Sequence, residues 1–354
     1  MKTSALNKLG ITIPIIQAPM AGTATPELAA AVSNAGALGS LGLGSSNTEQ
    51  ARRLIEKTMQ LTSAPFNVNF FCHETPVSDP TRETVWLRYL APLFDEFDTE
   101  RPSSLHNPYT SFNDNPELLD LVLELKPAIV SFHFGLPSSN AIKQLKEAGI
   151  ILMATATKLS EARAIEGAGL DFIVAQGWEA GGHRGIFDQH DKDRELTTFS
   201  LLTLLAEKSH LPVIAAGGIM NGTGIRAALR LGACAVQMGT AFVLCPESAA
   251  NKAYRDALQS DKAFYTGLTP VISGRPARGI INRAHTDIDT PGRPILPDYP
   301  ICYTATKALD KAAQERNNYD FAPHWAGQGA PLARAMPAAE LVQQLQKEIN
   351  ENIN

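Results

Sequence analysis

One imidazole and one guanidinium, His183 and Arg184, stand in a ten-residue run from Gln176 to Gly185 that also holds Gly181, Gly182 and Gly185. Glycine reaches positive φ and carries no Cβ, so such a run lets backbone N–H groups approach a bound molecule while the imidazole stays available for proton or hydrogen-bond chemistry. The run follows Asp171 to Ala175, short, apolar and β-branched, which reads as a buried strand ending at Gln176. Taken alone, these residues fit a ligand loop or a mobile surface loop equally well.

Two more glycine-rich stretches, Ala215-Ala216-Gly217-Gly218-Ile219 and Gln237-Met238-Gly239-Thr240-Ala241, also follow apolar runs. Backbone donors and the Thr240 hydroxyl suit a phosphate group. Polar side chains recur where apolar runs stop: Gln17 beside Ala18 and Met20, then Asn67, Asn69, His133, Thr155, Thr157, Gln176 and Gln237. Burying an amide without a partner costs about 1–3 kcal/mol, so one large, flat, hydrogen-bonding ligand would account for them together, although each alone fits a satisfied core amide. A phosphorylated ligand with a broad ring is expected, and FMN matches that description. Tyr299, Tyr303 and Lys307 recur at intervals of four, so on a helix opened by Tyr299-Pro300 they share a face. Two phenols and an ammonium suit an anionic substrate; an amphipathic surface helix is the alternative. Cys72, Cys234, Cys245 and Cys302 show no metal-ligand spacing, so reduced, buried thiols and no metal are expected.

These groups need a scaffold that brings them together. Strands are expected at 15–20, 38–44, 66–71, 128–134, 150–156, 172–176, 212–216 and 235–238, separated by helices that include 48–62, 138–149, 159–168, 197–209 and 225–231. Thr25-Pro26-Glu27 opens the first helix with a capping hydroxyl, a proline at the first helical position and an early acid. Eight strands alternating with helices predict an α/β (β/α)8 TIM barrel with an inserted, mostly helical cap. An open doubly wound sheet is disfavoured, because Met20-Ala21-Gly22-Thr23 stands where a Gly-x-Gly-x-x-Gly turn would follow strand one. The layout expected is a barrel over 1–245 with an insertion at 73–116, a cap domain at 246–298, and a returning and a terminal helix over 299–354. In a barrel, all the groups above sit at the carboxyl ends of the strands.

Composition narrows the class further. With 354 residues, 44% of them hydrophobic, the chain is long enough for a barrel and an insertion. A net charge of -5 disfavours nucleic acid and anionic membrane as partners. The apolar stretch Ile11 to Met20 holds two prolines and a glutamine, and reads as a first strand rather than a signal peptide. No run of eighteen apolar residues occurs, so a cytoplasmic protein, monomer or homodimer, is expected.

The chain resembles the class I nitronate monooxygenases, formerly 2-nitropropane dioxygenases, over essentially its whole length. The resemblance rests on Gln17 to Met20, Phe66 to Asn69, Ser131 to Gly135, Gln176 to Gly185, Ala215 to Met220, Gln237 to Thr240, and Asp298-Tyr299-Pro300 with Tyr303 and Lys307. The glycine-histidine run is shared with FMN-dependent enoyl reductases; the tyrosines and lysine make the narrower match. The resemblance implies noncovalent FMN and oxidation of a nitronate, propionate 3-nitronate foremost, with O2. It places His183 at the catalytic position and Tyr109, His133, Tyr254, Tyr299, Tyr303 and Lys307 around the substrate. The cofactor would lie against Ala18, Met20, Asn69, Gln176, Gly181, Gly182, Gly217, Gly218, Gln237, Met238, Gly239 and Thr240. A nitronate is already a carbanion equivalent, so no strong base is needed: His183 is expected to steady the nitronate oxygens, and to act as a base only on a neutral nitroalkane. An NAD(P)H-dependent flavin reductase on the same scaffold and a flavin-binding protein without turnover are the competing readings.

Overall fold

A computed structural model describes residues 2–351; position 1 and positions 352–354, the outer ends of the expected layout, lie outside the described residues. Strands β1 (Ile15–Gln17), β2 (Gly39–Gly42), β3 (Phe66–Phe71), β4 (Ile129–His133), β5 (Ile151–Ala156) and β6 (Phe172–Gln176) precede a two-residue strand, β7 (Gly182–His183). After it come β8 (Val213–Ala216), β9 (Ala235–Met238), β10 (Thr266–Thr269) and β11 (Ala277–Ile280). The parallel sheet runs β1-β9-β8-β6-β5-β4-β3-β2, and a bridge from Ile16 to Leu38 joins its two ends. The expected (β/α)8 barrel is therefore the observed one.

The strands are short, and nearly all their residues are buried, as the continuous apolar runs require of a sheet covered on the outside by helices. Helix starts follow their capping residues. Thr25 accepts from the Leu28 N–H, and Asn47 and Gln50 form a reciprocal capping box.

One barrel helix escapes the reading of the sequence. No helix is expected between the insertion at 73–116 and the strand at 128–134, yet Pro116–Leu125 is helical, capped by Asn115 and opened by Pro116. Its Leu118, Leu121 and Val122 are buried in the main core. A helix also precedes the barrel, Lys2–Leu9, whose Ala5 and Leu9 pack with Ile129, Met153 and Phe172 at the amino ends of their strands. It covers that end of the cylinder, so the opposite rim carries the site.

Two excursions meet over that rim. The first holds the helix Pro80–Glu96, capped by Asp79; the second supplies Tyr299 and the helix Tyr303–Glu315. Trp86, Leu90, Phe94, Phe134, Tyr299 and Leu309 share one buried cluster between them. The returning helix begins at Tyr303 and not at Pro300: residues 299–302 are turns, closed by Cys302 N–H to Asp298 (3.2 Å) and Tyr303 N–H to Pro300 (3.0 Å).

Residues 246–298, expected to form a cap, contain the helix Lys252–Leu258 and short helical turns, but also an antiparallel pair that alternation did not reveal. Strand β10 pairs with β11, and β11 pairs with β7, setting Ala277 opposite His183 and Arg278 opposite Gly182. The cap is thus stitched by backbone hydrogen bonds to the loop that carries the imidazole. Arg275 and Arg278 are buried, 2% and 4% exposed. Arg275 donates to the carbonyls of Ile186 (2.7 Å) and Phe187 (3.4 Å), anchoring the far side of the same loop.

Candidate active site

A cavity of about 410 Å³ opens at the carboxyl ends of the barrel strands. Every residue expected to hold the cofactor lines it, together with His183, Tyr109, His133, Tyr254, Tyr303 and Lys307. Tyr299 does not: it is 1% exposed and lies behind the wall, where its oxygen accepts from Tyr109 Oη at 3.1 Å. Some strand-end polar groups also prove internal. Gln17 is fully buried, accepting from the Ser40 N–H (2.8 Å) and donating to the Ala18 carbonyl. Asn67 donates to Ser40 Oγ (3.2 Å), and Thr157 donates to Glu161 (2.8 Å), so neither faces the cavity.

The glycine turns have the conformations their residue type permits. Gly217 and Gly218 adopt φ of 126° and 69°, and Gly182 adopts 73° with open space where a Cβ would stand. The N–H groups of Gly218, Gly239 and Thr240 have no acceptor among the described residues. Among the described residues, Lys307 is the only lysine or arginine lining the cavity, and no aspartate or glutamate lines it. Such a wall suits an anion.

Around His183 the hydrogen bonds are explicit. Its carbonyl accepts from Gln176 Nε2 (2.8 Å) and from His133 Nε2 (3.3 Å), while Gln176 Oε1 accepts from the Gly185 N–H (2.8 Å) and from Arg184 (3.1 Å). Since a carbonyl only accepts, His133 carries its proton on Nε2, and its Nδ1 accepts from Thr155 Oγ1 at 3.0 Å. Gln176 thus lines the cavity mainly as the brace of the His183 loop. The His183 ring packs edge-on against Phe134, Tyr299 and Trp325, at 5.6, 5.6 and 5.4 Å between centroids.

Burial, with the neighbouring His133 and Arg275, lowers the His183 pKa to about 3. Burial likewise brings His73, His133 and His324 to about 4 from an ordinary 6.5. Each is neutral when folded at pH 6, whereas the unfolded chain takes up protons below pH 6.5. Depressed folded values mean stability that is full above about 6.5 and is lost as pH falls toward 4. Chemical denaturation between pH 7 and pH 4.5 should show midpoints falling steeply, with more than one proton taken up on unfolding. A flat profile would contradict these burials.

At the mouth, Tyr109 and Tyr303 support the Lys307 ammonium, which stands 5.7 and 4.8 Å from their ring centroids. Burial lowers its pKa from the usual 10.5, and raises those of Tyr109 and Tyr303 well above 10, so the phenols stay protonated. Tyr254 stacks on His324 with rings 2° from parallel, and its hydroxyl donates to the Trp325 carbonyl.

The reading of the sequence missed the segment from Pro323 to Gly329, taken as irregular. Pro323, Trp325, Gly327 and Gly329 line the cavity, and the Gly327 N–H donates to Thr240 Oγ1 at 3.0 Å. A Cβ on Gly181 would come within 2.5 Å of the Gly327 nitrogen, so the two glycine runs need each other's smallness. The available signal was the pair Gly327 and Gly329 beside a tryptophan, without any periodicity to place it.

Eight parallel strands, a rim cavity walled by glycine N–H groups, and neutral imidazoles held in fixed orientations define an enzyme on a (β/α)8 barrel. The nitronate monooxygenase family model matches residues 2–348. The chain is 57% identical over 341 residues to the nitronate monooxygenase of Pseudomonas aeruginosa strain PAO1, covering 96% of this chain and 97% of that one. It is 53% identical to that of Paraburkholderia phytofirmans, covering 99% and 96%. Among solved structures it is similar to the nitroalkane oxidase from Streptomyces ansochromogenes, with a TM-score of 0.87, 38% identity, and coverage of 98% and 97%. FabK from Thermotoga maritima aligns with a TM-score of 0.73 at 29% identity, covering 98% and 95%. The chain belongs to the nitronate monooxygenase family; it is an oxidoreductase that acts in nitronate oxidation. Among the described residues, no helix is long and apolar enough to cross a membrane.

Proposed function

We propose that the rim cavity binds FMN without covalent attachment. The enzyme then oxidises small alkyl nitronates, propionate 3-nitronate foremost, with O2, giving a carbonyl product and nitrite or nitrate. What supports this reading is the donor set: Gly218, Gly239 and Thr240 line the cavity, and their N–H groups have no acceptor among the described residues. A phosphate supplies acceptors for all three, and the neutral donors leave Lys307 to a second anion. Asn69, Gln237 and Gln176 line the wall between these ends, where a polar ring edge would lie.

FMN held there would supply the one-electron redox chemistry that links the nitronate to O2. The chain's part is to hold and orient. Lys307 meets the carboxylate of a carboxylated nitronate, Tyr109 and Tyr303 shield that contact from water, and the imidazoles of His133 and His183 stay uncharged beside the reacting carbon. Similarity to the two bacterial nitronate monooxygenases supports the substrate class.

The test is an absorption spectrum of the purified protein, before and after anaerobic addition of propionate 3-nitronate. Flavin bands that change on addition are expected. Bands that ignore every nitronate, or that bleach with NADPH instead, would overturn the reading. A second check concerns the phosphate end: Gly218 holds φ at 69°, and a Cβ there would lie 3.2 Å from the Glu179 Cβ. Strain of about 1–2 kcal/mol for a side chain in this conformation predicts about fivefold to thirtyfold weaker FMN retention in Gly218→Ala. Fluorescence titration of the apoprotein measures it.

A further inference from the structure

We propose that Ser273, in the turn leading into β11, is the positioning residue for His183. It fixes the imidazole as the Nε2–H tautomer, so that a lone pair on Nδ1, and not an N–H, is offered to the ligand. Ser273 is completely buried, and its Oγ lies 2.9 Å from His183 Nε2. A hydroxyl has one hydrogen to give and two lone pairs to receive. The same Oγ is 2.9 Å from the Arg275 carbonyl oxygen, which only accepts, and 3.1 Å from the Arg275 N–H, which only donates.

One arrangement satisfies every partner. Ser273 gives its hydrogen to the Arg275 carbonyl and receives from the Arg275 N–H and from His183 Nε2–H. In the other arrangement Ser273 donates to Nε2, and the Arg275 carbonyl loses that partner inside a dry turn, at a cost of about 1–3 kcal/mol. A difference of that size holds the first tautomer at roughly 85–99%. Nδ1 makes no hydrogen bond among the described residues, and it is not one of the buried, unpartnered atoms. It is therefore the ring nitrogen left for a ligand in the cavity that His183 lines.

The backbone removes the remaining freedom. His183 pairs with Ala277 across the β7–β11 ladder, the Arg184 N–H donates to Pro276 at 2.9 Å, and the His183 carbonyl is held by two side-chain donors. The ring has neither a reason to flip nor room to do so. An acceptor at Nδ1 complements a ligand edge that bears hydrogen, such as the C–H beside a nitro group. It repels a bare nitronate oxygen, so on this proposal His183 faces the hydrogen-bearing edge of the ligand and not those oxygens. This deepens the reading of the site as a nitronate-oxidising one and depends on it only for the kinetic part of the test.

The tautomer is read directly by 15N NMR of the FMN-loaded protein carrying labelled histidine, with the His183 signals assigned by their loss in His183→Asn. A proton on Nε2 and a bare Nδ1 are expected; a proton on Nδ1 would overturn the proposal while leaving the proposed function standing. In Ser273→Ala the two tautomers should exchange, and kcat/KM for a neutral nitroalkane should fall about tenfold while that for the nitronate stays within about twofold. Equal losses on both substrates would also overturn it. A wild-type flavin spectrum that no nitronate alters would instead sink the proposed function without touching the tautomer.

Discussion

Replacing His183 with asparagine will lower kcat/KM for a neutral nitroalkane about a hundredfold, and that for the matching nitronate by less than about tenfold. In the neutral compound the C–H bond must break. On the proposed role of His183, the proton goes to its Nδ1, and the bonding pair becomes the C=N bond of the nitronate, with charge on the nitro oxygens. A nitronate arrives with that step done. With its pKa near 3, His183 is unprotonated at every working pH, so the acceptor is always present. The same low value makes it a weak base, so the neutral substrate should be the slower one in the unaltered enzyme too. Steady-state kinetics with paired nitroalkane and nitronate decide the matter, and equal losses on both would remove the proton-transfer role.

Lys307→Met will raise the KM for propionate 3-nitronate about tenfold to thirtyfold and leave that for an unsubstituted alkyl nitronate within about threefold. A charge-assisted contact is worth about 1.5–3 kcal/mol, and the lower part of that range applies because Lys307 is exposed. The pH dependence has a definite sign. Burial lowers the ammonium's pKa below its usual 10.5, so the positive charge is lost as pH rises, sooner than for a free lysine. KM for the carboxylated substrate should therefore climb on the alkaline side while KM for the alkyl nitronate stays flat. A parallel climb for both would place the carboxylate elsewhere.

The barrel was readable because its strands are short, continuous apolar runs ending in glycine or in a polar residue, and these ends are what a closed cylinder gathers on one rim. Gly217, Gly218, Gly239 and Thr240 stand on that rim for the same local reasons that made them conspicuous in the sequence. The failures have equally specific causes. Tyr299 has the right spacing from Tyr303, but the helix starts later, and the phenol turns inward beneath Tyr109. Trp325 and Ser273 reach His183 from turns with no period, through contacts spanning far more sequence than any local pattern covers. The β7–β11 ladder joins two strands too short to show alternation. Gln17 and Asn67 misled because an amide held inside the protein and one facing a ligand are spelled identically; only the neighbouring Ser40, which bonds both, tells them apart.

The pairing of β11 with β7 makes roof and reactive ring one mechanical piece. Were the roof to hinge upward as a door, it would tear the backbone bonds directly beneath the imidazole and carry Ser273 away from it.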